Sequence, residues 1–548
     1  MNWRQSLDFF SLAGLSISKQ FPIGDSSSKM AVSEAEDGRS YTKAIEMLHA
    51  FDYVQSEQTK NLPRMTLLLK SLGISMQDID NLNCVHVTGT KGKGSTCSFI
   101  ESIFLQSGLS TGMYTSPHLC EYRERIRLHG QPISHEKFAK YFFECYDRLL
   151  AKNMGEADND LLSPFAFITA MMFYVFVKEK VDVAIVEVGV GGAFDCTNII
   201  RNPVVSALAG IEIDHVHTLG SKVEQIAWHK SGIIKATHPA VTIRQKPEAM
   251  EMIVDKAEAV NSPLLIAQPL SKKQGESNLV LGLPGAHQWI NASLAVQTCK
   301  VWFEEKSHDE QFVKSKKFDA LYNGVDASAS VSSIRMQLAD NYKRGLAKAS
   351  LAGRCQEVSK DGLTMYVDGA HTPQSISYFV EWAQNKISDI EDSKHTKVLF
   401  FNVTGTRDTI MLIKPLLALH FDLVVFCPNV VNKEESIRLN GESIKVTHDG
   451  SYACDRSNLT YEWAKHNQDM WQNAEKVGFP DRTPTPTAVF ESVSSAFTWI
   501  LERSPVKQVG IHPMPKKVME SNHVHLFVTG SIALVGCVVS CIGGAQST

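Results

Sequence analysis

The sequence predicts an α/β protein of two doubly wound domains, the first with a mainly parallel sheet and the second smaller. Three observations predict it. A glycine-rich loop, Gly89-Thr90-Lys91-Gly92-Lys93-Gly94-Ser95, lies between a short β-branched run and a helical pattern. Apolar runs alternate with amphipathic stretches, as expected of strands covered on both faces by crossover helices. That rhythm breaks between about Glu304 and Asp340 and restarts at Gly353, and 548 residues are too many for one ordinary core.

Composition narrows the class. Apolar residues make up 43% and charged residues 21%, the proportions of a globular protein. A formal charge of −4 shows no basic excess, which argues against nucleic acid as a partner. Eleven cysteines are scattered without a C-x-x-C pair, a pattern that suits reduced thiols in an intracellular compartment. Two apolar runs test for the membrane. Leu161–Val177 is short and broken by Ser163, Pro164 and Thr169, and Leu526–Val539 is broken by Thr529, Gly530 and Ser531. Both read as buried elements, so no transmembrane segment is expected. The first 29 residues carry seven serines, with Arg4, Lys19 and Lys29 against Asp8 and Asp25. They lack the compact apolar core of a secretory signal and read either as a mitochondrial or plastid transit peptide or as a disordered extension. A start at Met30 would give a cytoplasmic form. Residues 1–40 are set aside as this leader.

From Tyr41 the chain turns helical, with Ile45, Leu48 and Phe51 on one stripe. Leu62–Leu72 forms another stripe, and Gly73 ends it. Val85–Thr88 is a strand. After the glycine loop, Phe99, Ile100, Ile103 and Phe104 define one helical face, which Gly108 stops. A strand follows at Thr111–Thr115, then the loop Ser116-Pro117-His118-Leu119. Helices are expected from His135 to about Leu150 and from about Ser163 to Glu179. Val181–Gly189 and Val204–Ile213 read as strands buried on both faces. The patternless stretch from Glu304 is a long insertion or the approach to a linker, which puts the first domain at 41–346 and the second at 347–548. In the second, strands at Leu363–Val367, Lys397–Val403, Leu423–Cys427 and His525–Val528 end respectively in Asp368-Gly369-Ala370-His371, Thr404-Gly405, Pro428-Asn429 and Thr529-Gly530-Ser531. Val431–Thr487 reads as a polar insertion. There is no internal repeat.

The chemistry gathers at strand ends. Glycines let successive backbone N–H groups converge on an anion, and the following helix adds its positive end. Lys93 can reach outer phosphates, and a hydroxyl from Ser95 or Thr96 can face a magnesium ion. The loop departs from G-x-x-x-x-G-K-[ST] by the glycine between lysine and hydroxyl. Ligands in doubly wound sheets bind beyond the carboxyl ends of the strands, so Thr88, Ser116, Glu187 and Asp214-His215 are aimed at one crevice. Glu187 closes a buried strand and is a candidate Mg²⁺ ligand, or else the partner of a nearby lysine. His215 reads as a loop residue or a ligand, and Ser116 is weak alone. Lys230, in Trp228-His229-Lys230-Ser231-Gly232, reads by itself as a solvated helix lysine. Asp368 with His371 can hold an amine or take a proton, or simply form a turn. Arg354 can clamp a phosphate or lie on the surface.

Taken together these residues resemble the Mur ligase superfamily and, within it, the folylpolyglutamate synthases. The resemblance rests on Thr88–Ser95, Ser116–Leu119, Arg123–Ile126, Glu187–Gly192, Asp195–Asn198, His215 and His229–Ile233. It continues through Gly285–Gln288, Asn291-Ala292, Gly353-Arg354, Asp368–His371 and Thr529–Ser531, covering the chain from about Tyr41 onward. It implies a P-loop ATPase domain followed by a Rossmann-like ligase domain. Gly92, Lys93, Gly94 and Ser95 would bind ATP phosphates, with Arg354 and Asp368 contacting ATP from the second domain. Ser116, Glu187 and His215 would hold Mg²⁺, with a monovalent cation such as K⁺ as a further candidate. Lys230 would be carbamylated, His371 and Ser531 would lie near the incoming glutamate, and Arg125 near the folate. The implied enzyme is a tetrahydrofolate:L-glutamate γ-ligase that forms ADP, acting as a monomer on folate, L-glutamate and ATP through an acyl phosphate. The long insertions resemble those of the eukaryotic, monofunctional type. The alternatives are a bifunctional dihydrofolate synthase/folylpolyglutamate synthase and a non-ligating P-loop nucleotide-binding protein.

Overall fold

A computed structural model describes residues 38–51, 58–151, 163–270, 279–310, 312, 339–360, 362–390, 394–403, 408–431, 460–502 and 514–541. The leader, the middle of the first insertion, the start of the second, and Thr404-Gly405 lie outside these residues.

Strands of β-branched and apolar residues build two sheets. The first holds β1 (Val85–Thr88), β2 (Thr111–Tyr114), β3 (Ile126–Leu128), β4 (Gln131–Pro132), β5 (Val183–Glu187), β6 (Val205–Leu208), β7 (Ala240–Thr242) and β8 (Leu264–Ile266). Its order is β4-β3-β2-β5-β1-β6-β7-β8, parallel except for β3 and β4. Val85 lies between Ile185 and Val205, so β5, β1 and β6 end nearly level. The second sheet holds β9 (Gln356–Lys360), β10 (Leu363–Val367), β11 (His395–Phe401), β12 (Leu423–Phe426), β13 (Thr487–Val489) and β14 (His523–Thr529). Its order is β13-β12-β11-β14-β10-β9, with only β9 antiparallel. The central strands of both sheets are buried on both faces, which is why they read as unbroken apolar runs.

Helices cover the faces. Lys93–Gln106 is buried from Ser95 to Phe104, between its sheet and the helices Gln288–Ser307 and Asp340–Lys348. Gly345 permits the second contact, since a Cβ there would stand 2.6 Å from the Ile103 Cα. On the other face, Pro164–Glu179 packs on β2 where Gly112 leaves room for the Phe176 ring. Ser163 caps that helix, and Gly73 ends Asn61–Leu72, as the sequence predicts, by taking a left-handed conformation.

Four expectations change. β6 ends at Leu208, not Ile213, because the chain leaves the sheet so that the Gly210 carbonyl can accept from the Thr90 and Lys91 N–H groups. The helix Gln288–Ser307 runs past Glu304, so the first insertion starts later, and Asp340–Lys348 belongs with the first sheet. The end of the second insertion is a helix, Tyr461–Gly478, whose buried face includes Ala464, Asn467, Gln468, Trp471 and Ala474. Its buried amides made it read as polar. The short edge strands β7, β8 and β9 carry too few residues to show a period. No helix among the described residues is long and apolar enough to cross a membrane.

Candidate active site

The phosphate loop is held from three sides. Thr90 and Lys91 donate backbone N–H bonds to Gly210, and the Thr90 hydroxyl donates to the Glu212 carbonyl. Gly92 takes φ +85°, and a Cβ there would stand 2.2 Å from Asn291 Oδ1, so only glycine fits. The helix then begins at Lys93, directing its first N–H groups and its positive end into the crevice.

Glu187, at the carboxyl end of β5, is buried against this loop. Its Oε2 accepts from the Ser116 N–H at 3.0 Å, and its Oε1 lies 3.8 Å from Lys93 Nζ. Gly94 lies beside it, a hypothetical Cβ standing in ordinary contact 3.6 Å from Oε2. Burial raises the Glu187 carboxyl above its ordinary range, while Lys93, the Ser116 N–H, Arg354 and Arg125 pull it back down. Of the two sequence readings of Glu187, the structure shows the lysine partner, and it places the carboxylate at the phosphate loop.

Lys230 is not a solvated helix lysine. It is buried, and its Nζ donates to the Gly89 carbonyl at 2.8 Å. Burial first, then the Lys93 charge, hold it well below the usual lysine range. Its helix, Val223–Ser231, is seated by Gly192, whose hypothetical Cβ would stand 2.6 Å from the His229 carbonyl oxygen and 2.9 Å from that of Lys230. Asp195 fixes the glycine stretch after Glu187 by accepting from the Val190 and Thr197 N–H groups.

His215 sits in a left-handed conformation (φ +51°) ahead of a short helix, Val216–Leu219. One edge is exposed, yet desolvation by the surrounding protein, reinforced by Lys93, Lys230 and Lys91 and opposed by Asp214, pushes it down to about 4. It is thus a neutral imidazole in a crevice of lysines. Arg125 is buried, donates through Nε to His118 Nδ1 at 2.9 Å and lies over the Tyr122 ring.

The second sheet closes this crevice from the opposite side. The Arg354 guanidinium packs on Gly369, and Asp368 Oδ2 accepts from the Cys355 N–H at 2.8 Å. His371 Nδ1 faces the Gly369 carbonyl at 2.7 Å, so Nδ1 carries the hydrogen, and Nε2 accepts from Lys91 Nζ at 3.3 Å. The same Lys91 pairs with Asp214 at 3.2 Å. Burial opposes the charge on Asp214, but Lys91, His215 and His371 outweigh it and hold the carboxyl well below the usual range. Ser531 is tied to the same turn through the Gly530 N–H, which donates to Ala370.

Lys91 lines the crevice but was given no role from the sequence. The same holds for His287, stacked 4.6 Å from Tyr378, and Gln288, whose Nε2 lies 3.3 Å from Ser95 Oγ. Lys91 carried a signal, because it lies inside the glycine loop. The other two stand at the start of a distant helix, in the Gly285–Gln288 motif, which carried the resemblance but no assigned role.

No known protein-family profile matches the chain. It is 36% identical over 563 residues to the human protein named "Folylpolyglutamate synthase, mitochondrial", covering 93% of each chain. It is also 36% identical over 509 residues to the Bos taurus protein of the same name, covering 87% of this chain and 86% of that one. Among solved structures, a Mycobacterium tuberculosis folylpolyglutamate synthase complexed with ADP superposes with a TM-score of 0.66 at 22% identity, over 92% of this chain and all of the other. The structural likeness carries the two-sheet fold, and the sequence identity carries the family: the chain belongs to the folylpolyglutamate synthases.

Proposed function

We propose that this chain is the ATP-dependent ligase that joins L-glutamate to the γ-carboxyl of a folate polyglutamate tail. One observation carries the reading. Two sheets bring their strand ends to a single crevice, where a phosphate loop, a buried carboxylate and a buried lysine face an arginine, an aspartate and a histidine from the other half. The halves are two domains, meeting near residue 346.

Each residue has a task in this reading. The N–H groups and side chains of Gly92, Lys93, Gly94 and Ser95 take the ATP phosphates, while Arg354 and Asp368 hold the nucleotide from the second domain. Ser116, Glu187 and His215 fit Mg²⁺, because they offer one hydroxyl, one buried carboxylate that a single ammonium at 3.8 Å only partly compensates, and one neutral imidazole. A bound Mg²⁺ would offset phosphate charge during transfer. K⁺ is a further candidate cation. Lys230, whose ammonium burial disfavours, can in its neutral form add to carbon dioxide: its nitrogen forms the N–C bond and loses one proton. The resulting carbamate is an oxygen anion beside the cation site. Arg125 lies where the acid tail of the folate would enter.

A carboxylate is a poor electrophile. Transfer of the γ-phosphoryl group onto it yields an acyl phosphate, with Lys93 offsetting the migrating charge. The glutamate amine attacks the acyl carbon, and phosphate leaves. That amine must shed a proton, and His371 Nε2 is the nearby acceptor once Lys91 releases it. The closed seam keeps out the water that would hydrolyse the intermediate. The mitochondrial names of the two mammalian relatives favour an organellar destination for the form starting at Met1, which N-terminal sequencing of the mature protein checks.

The test is ADP release with folate, glutamate or ATP omitted in turn, followed by mass analysis of the folate. ADP formation that requires both co-substrates, with product gaining one glutamate at a time, is expected. ADP released equally without folate and glutamate, with no mass gain, would sink the reading.

A further inference from the structure

Three carboxamides form a buried row that ends at Ser531. Asn402 follows β11, Asn429 follows β12 and Ser531 follows β14, while Asn467 comes from the helix Tyr461–Gly478. Asn402 and Asn467 are fully buried, and Asn429 and Ser531 nearly so. Asn467 Nδ2 donates to Asn402 Oδ1 at 2.7 Å, Asn402 Nδ2 to Asn429 Oδ1 at 2.9 Å, and Asn429 Nδ2 to Ser531 Oγ at 3.2 Å. Apolar side chains would fill these positions at no polar cost, so three amides in series need a reason. The row stands at the carboxyl ends of adjacent strands, where such sheets bind ligands. Gly530 presses the turn onto it: φ is +99°, and a Cβ there would stand 2.4 Å from the Asn402 carbonyl oxygen.

The row has a direction. Asn467, at the head, only donates, its own Oδ1 having no partner among the described residues. Asn402 and Asn429 each accept from behind and donate forward, so Ser531 Oγ receives a hydrogen and its own hydrogen is left to donate elsewhere. We propose that Asn467, Asn402 and Asn429 are positioning residues that fix Ser531 as a donor to a carboxylate of the incoming glutamate. This rests on the ligase reading above and adds the three residues that act on the glutamate through Ser531.

Asn402→Asp and Asn429→Asp keep the shape and reverse the row. A carboxylate at 429 accepts from Asn402 and from Ser531. One at 402 accepts from Asn467 and turns Asn429 about, so that Ser531 donates inward in both variants. Each new carboxylate has two donors, which oppose the rise that burial imposes on a carboxyl, and the kinetics are read up to alkaline pH, where the carboxylate form prevails. Steady-state kinetics should show the glutamate KM raised at least about tenfold in both, the worth of a hydrogen bond to a charged group. The ATP KM and the melting temperature should stay near wild type. Ser531→Ala should reproduce the glutamate effect, and Asn402→Asp added to it should change nothing more, because the row acts through Ser531. Folded Asp variants with an unchanged glutamate KM, or full additivity with Ser531→Ala, overturn the proposal. A wild-type chain that adds no glutamate at all overturns the ligase reading instead.

Discussion

Lys230 shows what a single side chain gains from its surroundings. An ammonium with no carboxylate at bonding distance is poorly stabilised when buried, and Lys93 adds repulsion. The amine is therefore neutral far more readily than a surface lysine, the state in which nitrogen is nucleophilic. Glu187 faces the reverse problem, since burial pushes its carboxyl up and Lys93, the Ser116 N–H and the two arginines only partly offset it. In the proposed reading one residue takes an anion-forming modification and the other a cation, and both line the same loop. Lys230→Ala should leave the fold intact by circular dichroism and abolish ligation, with partial recovery on adding a short carboxylate. Full activity of that variant would remove the carbamate.

At the scale of the element, the glycine stretch after β5 and the helix Val223–Ser231 act as a seat and its occupant. Gly192→Ala would drive a Cβ into two backbone carbonyls that cannot move separately from the helix. The expected cost is about 1–3 kcal/mol of stability, typical of forced overpacking, read as a fall in denaturant midpoint. Lys230 would shift with the helix, so kcat should fall more than the KM for ATP; unchanged kcat would separate the seat from the chemistry. Such pairings explain what the sequence could and could not tell. β5 and β12 were legible because burial on both faces leaves a nearly continuous apolar run, and β1 because β-branched residues precede the glycine loop. The helix Tyr461–Gly478 was not, because its buried face spends positions on Asn467 and Gln468. Glu187, Asp368 and His371 were legible because they close such strands, where the open-sheet rule directs ligands. Lys230 was not, because its burial comes from packing against a loop some forty residues earlier in the chain. Lys91 needed both halves in place before its two partners were visible.

Across the whole molecule, the two halves share more than a rim of charges. Leu119, from the loop beside Ser116, is buried in the apolar core of the second sheet, in company with Leu363, Leu534 and Val535. Gly353 lies directly against it, with a hypothetical Cβ 2.9 Å from its side chain. Cys120 Sγ bonds to the Gly536 carbonyl, and the Ser98 hydroxyl donates to the Ser350 carbonyl. Together with Lys91 and His371, these contacts hold the crevice shut on its apolar and its polar side. Closure matters because an acyl phosphate in contact with water is simply lost as phosphate and the starting acid. Leu119→Ala should remove about 2 kcal/mol from the seam, toward the lower end for truncating a buried leucine, since the site lies between two halves free to readjust. The sheets themselves should hold, so the secondary-structure signal is expected to stay native. The effect belongs in coupling: with all substrates present, more ADP should form per glutamate added than in the wild-type chain. A ratio that stays at the wild-type value in a Leu119→Ala protein would mean that the seam does not guard the intermediate.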